Sequence, residues 1–373
     1  IKVPADIAKP LRERLEAQAN EWGYRKQPLP FAMQQLLDRK LIEGLIGVNQ
    51  QVSKEPQGLP ELLADFLVDK PNQTIALQGP PGTGKSTVTA QLIAELLQRK
   101  KRIAISSNSN PAINNLLLKV KDTCVRSGLD HKIVKCTSQK EDSQLVGHAI
   151  PLIPTHAIAD DMQVVGGTAW TFSREEMTNL FDVLVVDEAG QMSLANLLVM
   201  ARCAQSILLV GDQQQLSQPT KANHPGESGN SCLEYLMKGA NVVPPDKGIF
   251  LATSWRMEPS ITDVVSELFY DRKLKANPVN AANGIEWKTP CLNAIAQPFP
   301  NKGIVFEPVT HHGCNVRSTQ EIDRIEQIVD ALLGGTFQHV QRDGIKSGVL
   351  TANDILITAP YNVQVNKLQE RLQ

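Results

Sequence analysis

The sequence of 373 residues has no apolar run long enough to span a bilayer. It has no excess of charge: 38 Lys and Arg stand against 39 Asp and Glu, a net charge of −1. No global basic field therefore marks the chain as a polyanion binder, and any nucleic-acid site must be local. The six cysteines, at 124, 136, 203, 232, 291 and 314, include no close pair of the metal-ligand kind. They read as free thiols of a reducing, cytoplasmic compartment. Internal repeats and low-complexity tracts are absent, which excludes solenoids and disordered tails. The opening stretch, "IKVPADIAKPLRERLEAQ", has no apolar signal core and begins with Ile, so it reads as an internal start. His311 and His312 are adjacent, on opposite faces of any strand, and read as structural rather than as ligands.

What is present is a globular composition, 42% hydrophobic and 21% charged, in a chain long enough for two domains. Residues 1–57 look helical, with "RKQPLP" as a turn between two amphipathic stretches. Apolar strand-like runs then alternate with helical ones: "TIALQ", "RIAISS", "KIVKC", "MQVVGGTA", "VLVVDEA", "SILLVGD". Nearly continuous apolar strands separated by helices predict an α/β fold with parallel sheets buried on both faces. A second alternating set, "GIFLATS", "GIVFEPVT" and "DILITAPY" with the helix "STQEIDRIEQIVDALLGG", predicts a second α/β domain. "TKANHPGESGNS" between the two sets reads as a hinge, so the expected divisions are 1–57, 58–220 and 221–373.

Chemistry concentrates at the strand ends. "GPPGTGKS", residues 79–86, follows one apolar strand and opens a helix. This is the P-loop pattern, Gly79, Pro80, Pro81, Gly82, Thr83, Gly84, Lys85, Ser86, with Thr87 following. Backbone N–H groups close around phosphate oxygens, Lys85 reaches the β- and γ-phosphates, and Ser86 ligates Mg²⁺. A tight Gly-Pro turn without a ligand is the bland alternative. "VLVVDEAGQMS" ends a buried strand in two carboxylates. Asp187 would hold Mg²⁺ through water and Glu188 would polarise the attacking water. A capping pair at a helix start is the alternative there. In "SILLVGDQQQL", Gly211 and Asp212 close a turn and Gln215 could touch the γ-phosphate; loop glutamines are also commonly just solvated. ATP and Mg²⁺ are the cofactors these loops imply.

In series, "GPPGTGKS", "DEAGQ", "GDQQQL" and "TSWRMEPSI" resemble motifs I, II and III and the following arginine-bearing motif of superfamily 1 helicases. The subgroup is the one that contains the nonsense-mediated-decay RNA helicase and the lagging-strand nuclease-helicase. "RIAISSNSNPAINNLLLKV" resembles its motif Ia, "VVGGTAW" its motif Ic, and "DILITAPYNVQVNKLQERL" a segment of its second RecA-like domain. "GDQQQLSQPTKANHPGESGNSCLEYL" is similar to bacterial members whose helicase half follows a RecB-like nuclease half. The resemblance runs from about residue 57 to the end. It implies tandem RecA-like domains, the second one cut before the family's last motifs.

Carried onto this sequence, the resemblance makes Lys85, Ser86, Asp187 and Glu188 the MgATP site and Gln215 a γ-phosphate sensor. Arg256 becomes an arginine finger, Trp255 an adenine-stacking residue and Gln57 an adenine reader. Ser107, Asn108 and Asn110, at a strand end before a helix, are placed to donate to the phosphates of a single strand. Thr358 and Tyr361 would touch the same strand. Trp170 either stacks on a base or fills core. The cations Arg99, Lys100, Lys101, Arg102, Lys119, Lys121, Arg126, Lys132 and Lys135 form a basic excess that either faces the strand or is simply solvated. The activity implied is a translocase or helicase on single-stranded DNA, moving 5′ to 3′, in a longer protein carrying a nuclease domain. An RNA helicase, or an ATPase switch without nucleic acid, are the rival readings.

Overall fold

The computed structural model of the chain describes residues 9–24, 28–139, 141–216, 226–341 and 344–372. Part of the turn expected at "RKQPLP" and half of the hinge expected at "TKANHPGESGNS" lie outside the described residues. The chain divides into two compact units, Ile1–Ala252 and Thr253–Gln373.

The first unit is built on a parallel sheet. Its strands are β1 (Thr74–Gln78), β2 (Ile103–Ser107), β3 (Ile133–Cys136), β4 (Leu152–Ile153), β5 (Val164–Gly166), β6 (Phe181–Asp187), β7 (Ala204–Gly211) and β8 (Gly248–Phe250). They lie in the order β4-β3-β5-β2-β6-β7-β1-β8. Helices α1 (Lys9–Ala19), α2 (Phe31–Leu37), α3 (Leu45–Lys54), α4 (Leu59–Asp69), α5 (Lys85–Gln98), α6 (Asn110–Arg126), α7 (Ala169–Phe172), α8 (Leu194–Met200) and α9 (Cys232–Met237) belong to this unit.

Alternation along each strand divides the core in two. Ala76, Ala104, Leu184, Val186, Ile207 and Leu209 pack with Met33 and Leu36 of α2, Leu197 of α8 and Leu233 of α9. Ile75, Leu77, Ile103, Ile105, Val183, Val185, Leu208 and Val210 pack with Leu63 of α4, Leu92 and Leu96 of α5 and Leu117 of α6. Covered on both faces, the strands have no need of a polar side, which is why they read as continuous apolar runs. β1 and β7 pair in register from Thr74↔Ile207 to Gln78↔Gly211. β2 and β6 pair from Ile103↔Val183 to Ser107↔Asp187. These pairings bring the polar ends of the strands level along one edge of the sheet.

The expected divisions need correction. The stretch "GIFLATS" does not open the second domain: its β8 pairs with β1. Residues 226–252 complete the first sheet, so the boundary falls at residue 252 and not after 220. The helical segment before residue 57 is likewise part of the first unit, with α2 packed in its core.

The second unit contains β9 (Thr253–Ser254), α10 (Pro259–Phe269), β10 (Lys275–Ala276), β11 (Gly284–Glu286), α11 (Thr319–Leu332), β12 (Thr336–Gln341), β13 (Gly344–Val349) and α12 (Asn362–Arg371). β9 and β10 form a short parallel pair. β11, β12 and β13 form an antiparallel sheet. Among the described residues the parallel pairing in this unit is confined to β9 and β10. "GIVFEPVT" and "DILITAPY" are not strands; Phe306 and Leu356 are 87% and 89% exposed. Both segments have strand-forming residues, but strand formation needs a pairing partner as well as propensity.

Candidate nucleotide and strand-binding site

The carboxyl ends of β1, β6 and β7 carry three loops that are laced together. Gly79 N–H donates to Gly211 O at 3.0 Å, and Ala189 N–H donates to Val210 O at 2.8 Å. The approach between the β6 and β7 loops leaves no room for a side chain at Gly190: a Cβ there would sit 2.5 Å from Asp212 O. Sequence reading passed over Gly190, whose signal was its place directly after an acidic strand end.

In the first loop a Cβ on Gly79 would lie 2.3 Å from Lys85 Cγ. The Lys85 ammonium donates to Gly79 O across the loop, and Thr83 Oγ1 donates to Pro80 O at 2.8 Å. Gly84 has φ +81°, a left-handed turn that opens directly into α5. The helix is 14 residues long and presents its N-terminal N–H groups, with Ser86 and Thr87 in its first turn, toward the same loop.

Asp187 ends β6 and is 6% exposed. Burial, and then the Glu188 carboxylate beside it, push its carboxyl up to about 6; the Lys85 ammonium offsets part of this. Glu188 is half-buried and has φ +53°, a strained backbone for a residue with a Cβ. Strain of that kind is held only where the surroundings dictate it, here where the chain turns sharply off a central strand. Gln215 Nε2 donates to Asp212 Oδ2 at 3.2 Å, so this glutamine is turned onto its own loop.

The motif Ia residues fall at the end of β2. Ser107 is in the strand, 2% exposed, and its hydroxyl has no protein partner. Asn108 is half-buried and Asn110 is exposed as the first residue of α6, which Ser109 caps by accepting from Ala112 N–H. Close by, a cavity of about 420 Å³ opens at the carboxyl ends of β3, β4 and β5. Asn110, Thr155, His156, Trp170 and Arg174 line it. Half-buried Trp170 therefore lines this cavity. His156 and Arg174 carried no sequence signal, because no motif surrounds them.

The basic excess does not form one face. Arg99, Lys100, Lys101 and Arg102 lie between the end of α5 and the start of β2, and Lys132 precedes β3. That is the opposite edge of the sheet from the loops. Arg99 pairs with Asp65 and Glu95, Lys101 with Asp182, Arg102 with Asp160 and Lys132 with Asp161. Lys135 is fully buried and paired with Asp142 at 2.7 Å. Arg99, Lys101, Arg102, Lys132 and Lys135 are thus committed to ion pairs within the fold.

Gln57 is exposed in a 3₁₀ turn between α3 and α4. In the second unit, Trp255 is 60% exposed directly after β9, and Arg256 beside it is also exposed. Asn280 Nδ2 holds the turn by donating to Ser254 O and Met257 O, both at 3.0 Å. Thr358 is exposed, and Tyr361, 50% exposed, is the N-cap residue of α12. His311 Nε2 lies 3.2 Å from a Glu321 carboxylate oxygen. Among the described residues no cluster of His, Cys, Asp and Glu suits a metal cage, and no helix is long and apolar enough to cross a membrane.

Two family models, each described as an AAA domain, match residues 62–224 and 228–373. The DNA replication ATP-dependent helicase/nuclease dna2 of Schizosaccharomyces pombe is 31% identical over 52% of this chain and 14% of its own length. DNA-binding protein SMUBP-2 of Rattus norvegicus is 24% identical over 79% of this chain and 34% of its own. Among solved structures, an arterivirus nonstructural protein 10 (helicase) with DNA aligns at 14% identity and TM-score 0.37. That alignment covers 55% of this chain and 41% of the other, a likeness too slight to carry an argument. The chain spans about a seventh of the length of the first curated relatives it matches.

Proposed function

The chain belongs to the superfamily 1 helicases, and from that premise we propose that it hydrolyses ATP to move along a single strand of nucleic acid. The observation that carries this reading is the set of three laced loops. They bring a lysine in a phosphate cradle and a buried carboxylate with its pKa driven upward to one edge of a parallel sheet.

The site fits the nucleotide and its metal. A Cβ at Gly79 would collide with Lys85 and Thr83, so the glycine lets those side chains fold into the loop, and Asp187 is a carboxylate whose burial is costly without a countercharge. Ser86 and Asp187 would hold Mg²⁺, which neutralises developing charge on the phosphates when bound. Lys85 and the N-terminal amides of α5 bind and orient the phosphates. Glu188 holds and polarises the attacking water, and Gln215 reads the γ-phosphate. Arg256 supplies positive charge to the transition state, and Trp255 and Gln57 hold the adenine. In this reading residues 58–252 form the ATP-binding domain.

The strand is held by Asn108 and Asn110 at the start of α6, by the cavity that Trp170 lines, and by Thr358 and Tyr361. Its polymer is proposed to be DNA and its direction 5′ to 3′, with a nuclease domain elsewhere in the same protein; the helicase/nuclease relative supports the DNA and the nuclease. Six free thiols fit a reducing cytoplasm. A labelled single-stranded oligonucleotide followed by fluorescence anisotropy tests the strand site. Affinity should fall steeply as salt rises, since phosphate contacts release counterions, and base composition should matter little. Affinity that is flat across the salt series would remove the strand from the account.

A further inference from the structure

Gln78 is the last residue of β1 and is fully buried, on the face of the sheet where Ala76 and Leu209 pack. A leucine would fill that space at no cost in desolvation, so a primary amide there needs every bond it can make. It makes them all to two segments. Its Nε2 donates to Gln213 Oε1 and to Asn241 O, both at 2.9 Å, and its Oε1 accepts from Val243 N–H at 2.7 Å. Gln213 Nε2 donates to Asn241 O at 2.8 Å, and Gln214 Nε2 to Asn241 Oδ1 at 3.1 Å. Leu251 N–H closes the set by donating to the backbone oxygen of Gln78.

Three pieces of chain meet in these bonds. One is the strand that opens the phosphate loop, beginning at Gly79. Another is the Gly211–Gln215 turn, which carries the proposed γ-phosphate sensor. The third is residues 241–251, which run through β8 to Ala252, the last residue of the first unit. Fully satisfied amide networks of this kind rigidify what they join. We propose that Gln213 and Gln78 are positioning residues that clamp the phosphate-loop strand and the sensor turn to the lead-in of the second unit. By doing so they couple ATP turnover to nucleic-acid binding. Neither touches the nucleotide in this account; Gln213 acts through Gln78 and Asn241. The inference rests on the helicase reading above.

The test is steady-state ATP turnover by the full chain with Mg²⁺, with and without excess oligothymidylate, alongside the melting temperature. Gln213→Ala should keep the basal rate and the KM for ATP but lower the stimulation by about five-fold or more, the low end of a coupling between two sites. Gln78→Met should lower it similarly, and the double variant no further than either single one, because both act through one bond. Wild-type stimulation in Gln213→Ala would overturn the proposal. So would a fall of basal and stimulated rates by one common factor together with the melting temperature, which is the mark of a merely structural role. A wild-type chain that shows no stimulation would remove the helicase reading, and this inference with it.

Discussion

A fully buried lysine in a strand is the residue that sequence reading placed least well. Lys135 in "KIVKC" looked like one more cation of a basic surface. Its ammonium instead meets Asp142, which also accepts from Asn114 Nδ2 of α6 at 2.9 Å. The Lys135 ammonium beside Asp142 holds that carboxyl below its usual range. A carboxylate depressed in the folded state adds stability above its unfolded pKa and loses it as pH falls through the folded value. Stability by urea unfolding should therefore decline below about pH 4, the ordinary carboxylate range, and this decline should be shallower in Asp142→Asn. At neutral pH that variant leaves Lys135 buried without a countercharge and should cost about 3–5 kcal/mol. Replacing both partners, Lys135→Met with Asp142→Leu, should recover most of it. A neutral-pH loss under about 1 kcal/mol, typical of an exposed pair, would contradict the buried-pair account. The proposed catalytic residues Lys85, Asp187 and Glu188 were easier to single out, because each sits in a motif whose spacing the chemistry fixes.

Among elements, the strands of the first sheet were legible because both faces are covered. "TIALQ" is β1 and "VLVVD" ends β6, with no polar alternation to confuse them. Which strand pairs with which was not legible: β8 looks like the opening of a new domain, and only its pairing with β1 assigns it to the first. The antiparallel β12–β13 hairpin went unread, since Gln338, His339, Lys346 and Ser347 are exposed and give it no apolar face. Where elements touch, small residues decide function. Gly190→Ala forces the end of β6 away from the turn after β7, and Glu188 moves with it. Displacements near 1 Å at a catalytic group can cost about 100-fold, so turnover should fall by that order while far-UV circular dichroism is unchanged. Full turnover in this variant would show that the two loops need not touch.

At the scale of the molecule, the first unit is a closed argument: a parallel sheet, two apolar layers and one edge of converging loops. In the second unit, individual strands departed from the sequence expectation. Its apolar runs at 304–306 and 355–357 are extended and largely exposed, and its sheet is antiparallel. Trp255 and Arg256 are proposed there from the motif around them, while the architecture depended on distant pairings. The account's central claim is that the three loops hydrolyse ATP in response to a nucleic-acid strand. Its most direct measurement is ATP turnover with Mg²⁺, with and without single-stranded oligonucleotide, in the wild type and in Glu188→Gln. The account predicts strand-stimulated turnover in the wild type and a loss of about two decades or more in Glu188→Gln, with ATP binding retained. Turnover indifferent to the strand, or undiminished in Glu188→Gln, would contradict it.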